Sequence, residues 1–230
     1  MDRYLAGDVL WPEGWTKLRV YFVPREAEIG ALADAYRPVL GACDFVAPIG
    51  TGQLHETVAA LQDRPASAVP EAEFARFEAL LRHWLGALPA FAVTAGGAMA
   101  SRHGVLLDLT PDAAFVRLQQ TARSVVEEVF GADSAQYAGG RPHVALAYGR
   151  GPGDSGLLQG RLRNATDLRA RLTVDAVQIV ECVQDVARNE IRWTERAFVR
   201  LGASGPHPER DGAVGTGNGV GAQPRSVAHA

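Results

Sequence analysis

The chain has 230 residues, 47% of them hydrophobic, which is enough for one sizeable core or two small lobes sharing a cleft. Its formal net charge of -3 excludes a sequence-independent nucleic-acid binder that neutralises many phosphates, but allows a short or small phosphorylated ligand. Met1 to Asp8 carries no secretory-type leader, and no stretch is long and apolar enough to span a bilayer. Cys43 and Cys182 lack metal-type or disulfide-type clustering, so they are expected as small buried thiols in a reducing cytoplasm, with no metal site and no cofactor. The basic residues are almost all arginine, with Lys17 the only lysine; this favours bidentate contacts and also fits GC-rich coding.

Along the chain, residues 17–23 alternate Leu18, Val20 and Phe22 with Arg19 and Tyr21 until Pro24, predicting a strand. A helix follows over 26–40. Apolar runs at 45–49 and 54–60 predict two strands, separated by Gly50-Thr51-Gly52 and with His55 in the second. Pro70 precedes a helix over 71–85, where Phe74, Phe77, Leu81 and Trp84 recur at helical spacing. Strands at 91–94 and 104–109 flank two turn signals, Gly96-Gly97 and Arg102-His103-Gly104.

Thr110-Pro111-Asp112 opens a helix running to about residue 130, which Gly131 closes. The turn Gly139-Gly140-Arg141-Pro142 leads into the strand that begins with His143. A glycine-rich loop at 149–153 lacks the Lys-Ser/Thr of a phosphate-binding P-loop and reads as a mobile connection to a short helix over 157–162. Strands at 172–183 and 191–201 form the closing hairpin. From Ala203 onward glycine and proline dominate, so 203–230 is expected as a flexible tail on a single domain of residues 1–202.

Helices interspersed with antiparallel hairpins predict an α+β fold rather than a doubly wound parallel sheet. The two histidine strands occupy similar places in the two halves, which predicts a bilobal molecule: two antiparallel sheets flanked by helices around a central cleft.

Two short segments carry the chemistry. In Leu54-His55-Glu56-Thr57-Val58 and His143-Val144-Ala145-Leu146-Ala147-Tyr148, strand alternation puts each histidine beside small residues on one face. Alternation also turns Glu56 away from His55, so that it either emerges at a sheet edge or pairs with an arginine. His103 reads as a turn residue, and His83 as a solvent-facing or helix-end residue. Trp11 and Trp15 read as anchors of an N-terminal segment packed across one lobe.

The paired segments resemble the two-histidine (2H) phosphoesterase superfamily, in its 2′-5′ RNA ligase-like branch, whose hallmark is one His-x-Thr/Ser-apolar motif per lobe. His55-Glu56-Thr57-Val58 matches the motif in full, whereas His143-Val144-Ala145-Leu146 has Ala145 where Thr or Ser is usual. Arg141-Pro142, Ala147-Tyr148, Gln184-Asp185 and Arg192-Trp193 add to the likeness. The resemblance implies a metal-independent phosphodiesterase acting on 2′,3′-cyclic or 2′-5′ phosphodiesters of a small nucleotide or RNA end. His55 and His143 would be the acid and base, and Thr57 a phosphate donor. Ala145 removes a second donor, and Tyr148, Tyr137 and Arg141 are the nearby replacements. A cytoplasmic monomer without membrane contact is expected. Two other readings stay open: the same fold serving non-phosphate acid/base chemistry on a small biosynthetic metabolite, and a non-catalytic nucleotide- or RNA-binding module.

Overall fold

A computed structural model describes residues 1–135 and 140–203 of the chain. Strand β1 (Thr16–Phe22) buries Leu18, Val20 and Phe22 in the main apolar core and turns Lys17, Arg19 and Tyr21 to the opposite face. Helix α1 (Glu26–Gly41) has Glu26 and Glu28 in its first turn, where the helix dipole favours acid. Strands β2 (Val46–Pro48) and β3 (Glu56–Ala60) follow, then helix α2 (Glu71–Gly86) after Pro70. Next come β4 (Phe91–Ala100), β5 (Gly104–Thr110), helix α3 (Ala113–Phe130), β6 (His143–Gly149) and helix α4 (Ser155–Arg163). Strands β7 (Ala170–Val174), β8 (Ala176–Asp185) and β9 (Glu190–Arg200) complete the order.

The nine strands form a four-stranded sheet in the order β3-β1-β8-β9 and a five-stranded sheet in the order β2-β6-β5-β4-β7. Each pairing is antiparallel, as the α+β reading expects. Helices α2 and α3 pack on the four-stranded sheet, α1 and α4 on the other. Phe115 of α3 joins the two lobes, with its ring 5.7 Å from Phe22 and 6.1 Å from Phe91.

Three elements differ from the sequence reading. Gly96-Gly97 is not a turn: β4 runs through it, with a register shift between Gly96 and Ala98 and a left-handed Gly97 at φ 68. The run 172–183 is two strands, because the chain leaves the five-stranded sheet after Val174 and joins the other at Ala176. The buried parity shifts there, from Leu172 and Val174 to Val177 and Ile179, but no Gly or Pro marks the crossing. His55 sits one residue before β3 rather than inside it. The expected tail beyond Ala203 lies outside the described residues.

Candidate active site

A cleft of about 520 Å³ lies between the sheets, lined by His55, Glu56 and Thr57 from one lobe and His143, Ala145, Ala147 and Tyr148 from the other. The two histidine segments are built alike. Opposite β1, the pairing jumps from Thr57 to Ala59, leaving Val58 as an extra residue. Opposite β5, it jumps from Ala145 to Ala147, leaving Leu146 extra. Each bulge therefore falls three residues after its histidine. In β6 the bulge also resets the alternation. Tyr148, which strict alternation from His143 sends to the far face, consequently lines the cleft. Gly104 permits the close approach of β5, since a Cβ there would strike the Ala147 carbonyl.

The rings are fixed by matching contacts. His55 Nδ1 is 2.9 Å from the carbonyl oxygen of Gln53, and His143 Nδ1 is 2.9 Å from that of Arg141. A carbonyl can only accept, so each Nδ1 carries the hydrogen and each Nε2 is left with the lone pair when neutral. His55 also stacks on Tyr21 at 4.1 Å and meets Trp193 edge-on at 4.8 Å. Burial lowers the His55 pKa to about 4; the Gln53 carbonyl opposes this, while the charges of Arg19 and His143 reinforce it. The His55 ring is thus held neutral across the physiological range.

Glu56 occupies a position the sequence left unexplained. Only 4% exposed, it accepts a 3.0 Å hydrogen bond from Gln119 Nε2 of α3, and its Oε2 lies 3.7 Å from His143 Nδ1. Burial pushes its carboxyl well above the usual range, opposed by the backbone amides of His143 and Thr57. A residue of the first motif thereby reaches the histidine of the second. Its only sequence signal is the core-facing parity between His55 and Thr57.

Of the other expected site residues, Thr57 lines the cleft beside His55, and Tyr148 stacks on Tyr4 at 4.2 Å with the planes 4° apart. The side chain of Arg141 is not brought to the cleft. It is 70% exposed with Nε 3.8 Å from Asp112, so what Arg141 supplies is the carbonyl that holds His143. Tyr137 lies outside the described residues. His83 is exposed, and His103, in the turn between β4 and β5, also lines the cleft.

Sequence reading gave Lys17, Arg19 and Tyr21 no place in the cleft region because the outward face of a strand gives no sign that a second lobe covers it. The N-terminal segment adds Tyr4, Leu5 and Trp11 to the wall. It is tied down by Leu5 N donating to Asn189 Oδ1 at 3.0 Å and by Trp11 N donating to Gln184 Oε1 at 2.8 Å. Both cysteines are buried and unpaired, and among the described residues no group of three or more His, Cys, Asp or Glu side chains could hold a metal ion. No helix there is long and apolar enough to cross a membrane.

Two antiparallel lobes, each bringing one histidine segment of the same construction to a common cleft, define the architecture of a two-histidine phosphoesterase. A profile of the 2′-5′ RNA ligase superfamily matches residues 53–185, from just before His55 to the end of β8. The chain belongs to that superfamily. No curated protein matches it significantly. Among solved structures it is similar to TT0787 of Thermus thermophilus, with TM-score 0.64 at 18% identity over 82% of this chain and 100% of that one. Escherichia coli LigT, solved with 3′-AMP, is similar with TM-score 0.59 at 18% identity over 81% of this chain and 98% of that one. ATU0111 of Agrobacterium tumefaciens, a protein of unknown function, gives TM-score 0.51 at 15% identity over 85% and 93%. At these identities the likeness is one of fold.

Proposed function

We propose that the chain is a metal-independent, monomeric and cytoplasmic phosphodiesterase that opens 2′,3′-cyclic or 2′-5′ phosphodiesters of small nucleotides or RNA ends. The observation that carries this reading is the presentation of two imidazoles in one cleft, each with Nδ1 on a backbone carbonyl and Nε2 available. Opening a cyclic phosphodiester needs a base for the attacking water and an acid for the departing oxygen, on opposite sides of phosphorus. His55, held neutral by burial, suits the base. His143 then supplies the acid. Water oxygen bonds to phosphorus as its proton passes to His55 Nε2. The bond to the leaving ribose oxygen breaks as that oxygen takes a proton from His143 Nε2, giving a monoester. Thr57 donates to a non-bridging oxygen, and the cleft has the volume of a nucleotide site. The nucleotide carried by E. coli LigT, 3′-AMP, is a ligand of the size proposed here.

The test is product analysis with 2′,3′-cyclic nucleotides, using the wild type, His55→Ala and His143→Ala. Monoester formation by the wild type, abolished in both variants, is expected. Turnover retained by either variant would overturn the pairing, and binding without turnover by the wild type would favour a non-catalytic module.

A further inference from the structure

Two cations stand side by side on the cleft face of β1. Arg19 lines the cleft, its Nε is enclosed without a hydrogen-bond partner, and Trp11 lies 5.1 Å from its guanidinium. The side chains that most favour its charge are Tyr21, Cys182 and Tyr4, Tyr21 also by hydrogen bonding, while the positive Lys17 stands beside it. Lys17, two residues away on the same face, is only 7% exposed. Its Nζ donates to the Gln62 carbonyl at 2.8 Å and to Gln62 Oε1 at 3.2 Å, and lies 5.6 Å from Trp11 and 5.9 Å from Trp15. Burial lowers the Lys17 pKa and the charge of Arg19 lowers it further, opposed by the carboxylate of Asp63. A guanidinium withdrawn from water with no carboxylate at its Nε costs free energy unless an anion completes the arrangement.

The cleft also has a gap on its other side. The matching construction of the two histidine segments places the Thr57 hydroxyl two residues after His55, but at the equivalent place after His143 there is Ala145. That lobe therefore lacks the hydroxyl that Thr57 offers at the matching place. Tyr21, which stacks on His55, is two residues from Arg19 on the same strand face, about 6.8 Å along the backbone and within the span of an arginine side chain.

We propose that Arg19 is the anion-binding residue of this cleft: its guanidinium takes a non-bridging oxygen of the phosphate held between His55 and His143, with Lys17 fixed behind it as a second positive charge. The ligand class is a phosphate monoester or diester, for which a planar guanidinium is the best-matched donor. The assignment rests on the phosphodiesterase reading for where the phosphate sits, but the dependence of anion binding on Arg19 is measurable without turnover.

Inorganic phosphate and 3′-AMP are titrated calorimetrically into the full-length chain at fixed ionic strength, comparing the wild type with Arg19→Gln, Arg19→Lys and His55→Ala. Arg19→Gln is expected to weaken both probes by roughly ten- to a hundredfold, and Arg19→Lys to recover part of the loss. His55→Ala is expected to lose turnover of a cyclic phosphodiester. Affinities in Arg19→Gln within about twofold of wild type overturn the assignment, as does a wild type that binds neither probe. If Arg19→Gln does not fold, the Nε–H resonance of Arg19 in labelled wild type decides: movement on phosphate saturation supports the site, and a stationary signal overturns it. Arg19-dependent phosphate binding in a wild type that turns over no cyclic phosphodiester would remove the proposed function and leave the anion site standing.

Discussion

Replacing His55 by Gln converts the electrostatics of the cleft into a measurable slope of stability against pH. In the unfolded chain this imidazole titrates near its usual 6.5, whereas burial holds it at about 4 in the fold. Above the unfolded value both states are neutral, and the group contributes no pH dependence. As pH falls from about 6.5 towards 4, the unfolded chain binds a proton that the native ring refuses, so stability is lost. Each pH unit in that window costs about 1.4 kcal/mol, and the full interval roughly 3 kcal/mol. Because the ring is only half-buried, solvent screening trims the expected loss to about 2 kcal/mol. Denaturant unfolding at a series of pH values, on the wild type and His55→Gln, isolates this contribution because the other titrating groups are common to both. The wild type should lose about 2 kcal/mol more than the variant across the window. Parallel curves, or a His55 resonance titrating near 6.5 in the native protein, would refute the claim that burial keeps this ring neutral.

Glu56→Gln has the opposite sign. The native carboxyl keeps its proton above the unfolded value of 4.5, so the wild type loses stability as pH rises through and beyond 4.5. The variant retains an Oε1 to accept from Gln119 and should gain on the wild type with rising pH in the same unfolding series; a pH-independent difference would contradict this. Asn189→Ala removes the acceptor for Leu5 N, the donor to the Gly149 carbonyl and a side chain suited to φ 59, so a loss of about 3 kcal/mol is expected. Urea unfolding measures that loss, and faster proteolysis within residues 1–15 should accompany it. Ala145→Thr restores a hydroxyl beside His143 and should tighten phosphate binding roughly tenfold by calorimetry; unchanged or weakened affinity would favour a different ligand.

Much of this molecule is legible in the sequence, for reasons that also set the limit. Phe74, Phe77 and Leu81 at helical spacing, and Leu18, Val20 and Phe22 in alternation, report local burial, and local burial is what periodicity measures. The crossing at Asp175 and the bulge at Gly97 each shift the buried parity by one residue, Val174 to Val177 and Ala95 to Ala98, a small change in sequence that does not disclose the new partner strand or register. The histidines stand out because each opens a strand-like segment. Lys17 and Arg19 do not, since a charged residue alternating with apolar ones on a strand reads as solvated until the facing lobe and Trp11 are in place. Arg141 misled for a related reason: proximity to His143 in sequence brought its carbonyl to the ring but sent its guanidinium towards Asp112.

The proposed chemistry requires both imidazoles to address one phosphate. A crystal structure of the full-length chain soaked with 3′-AMP tests this most directly. The predicted result is a single phosphate with oxygens within hydrogen-bonding distance of Nε2 of both His55 and His143. A phosphate bound elsewhere, or touching only one of the rings, would contradict it.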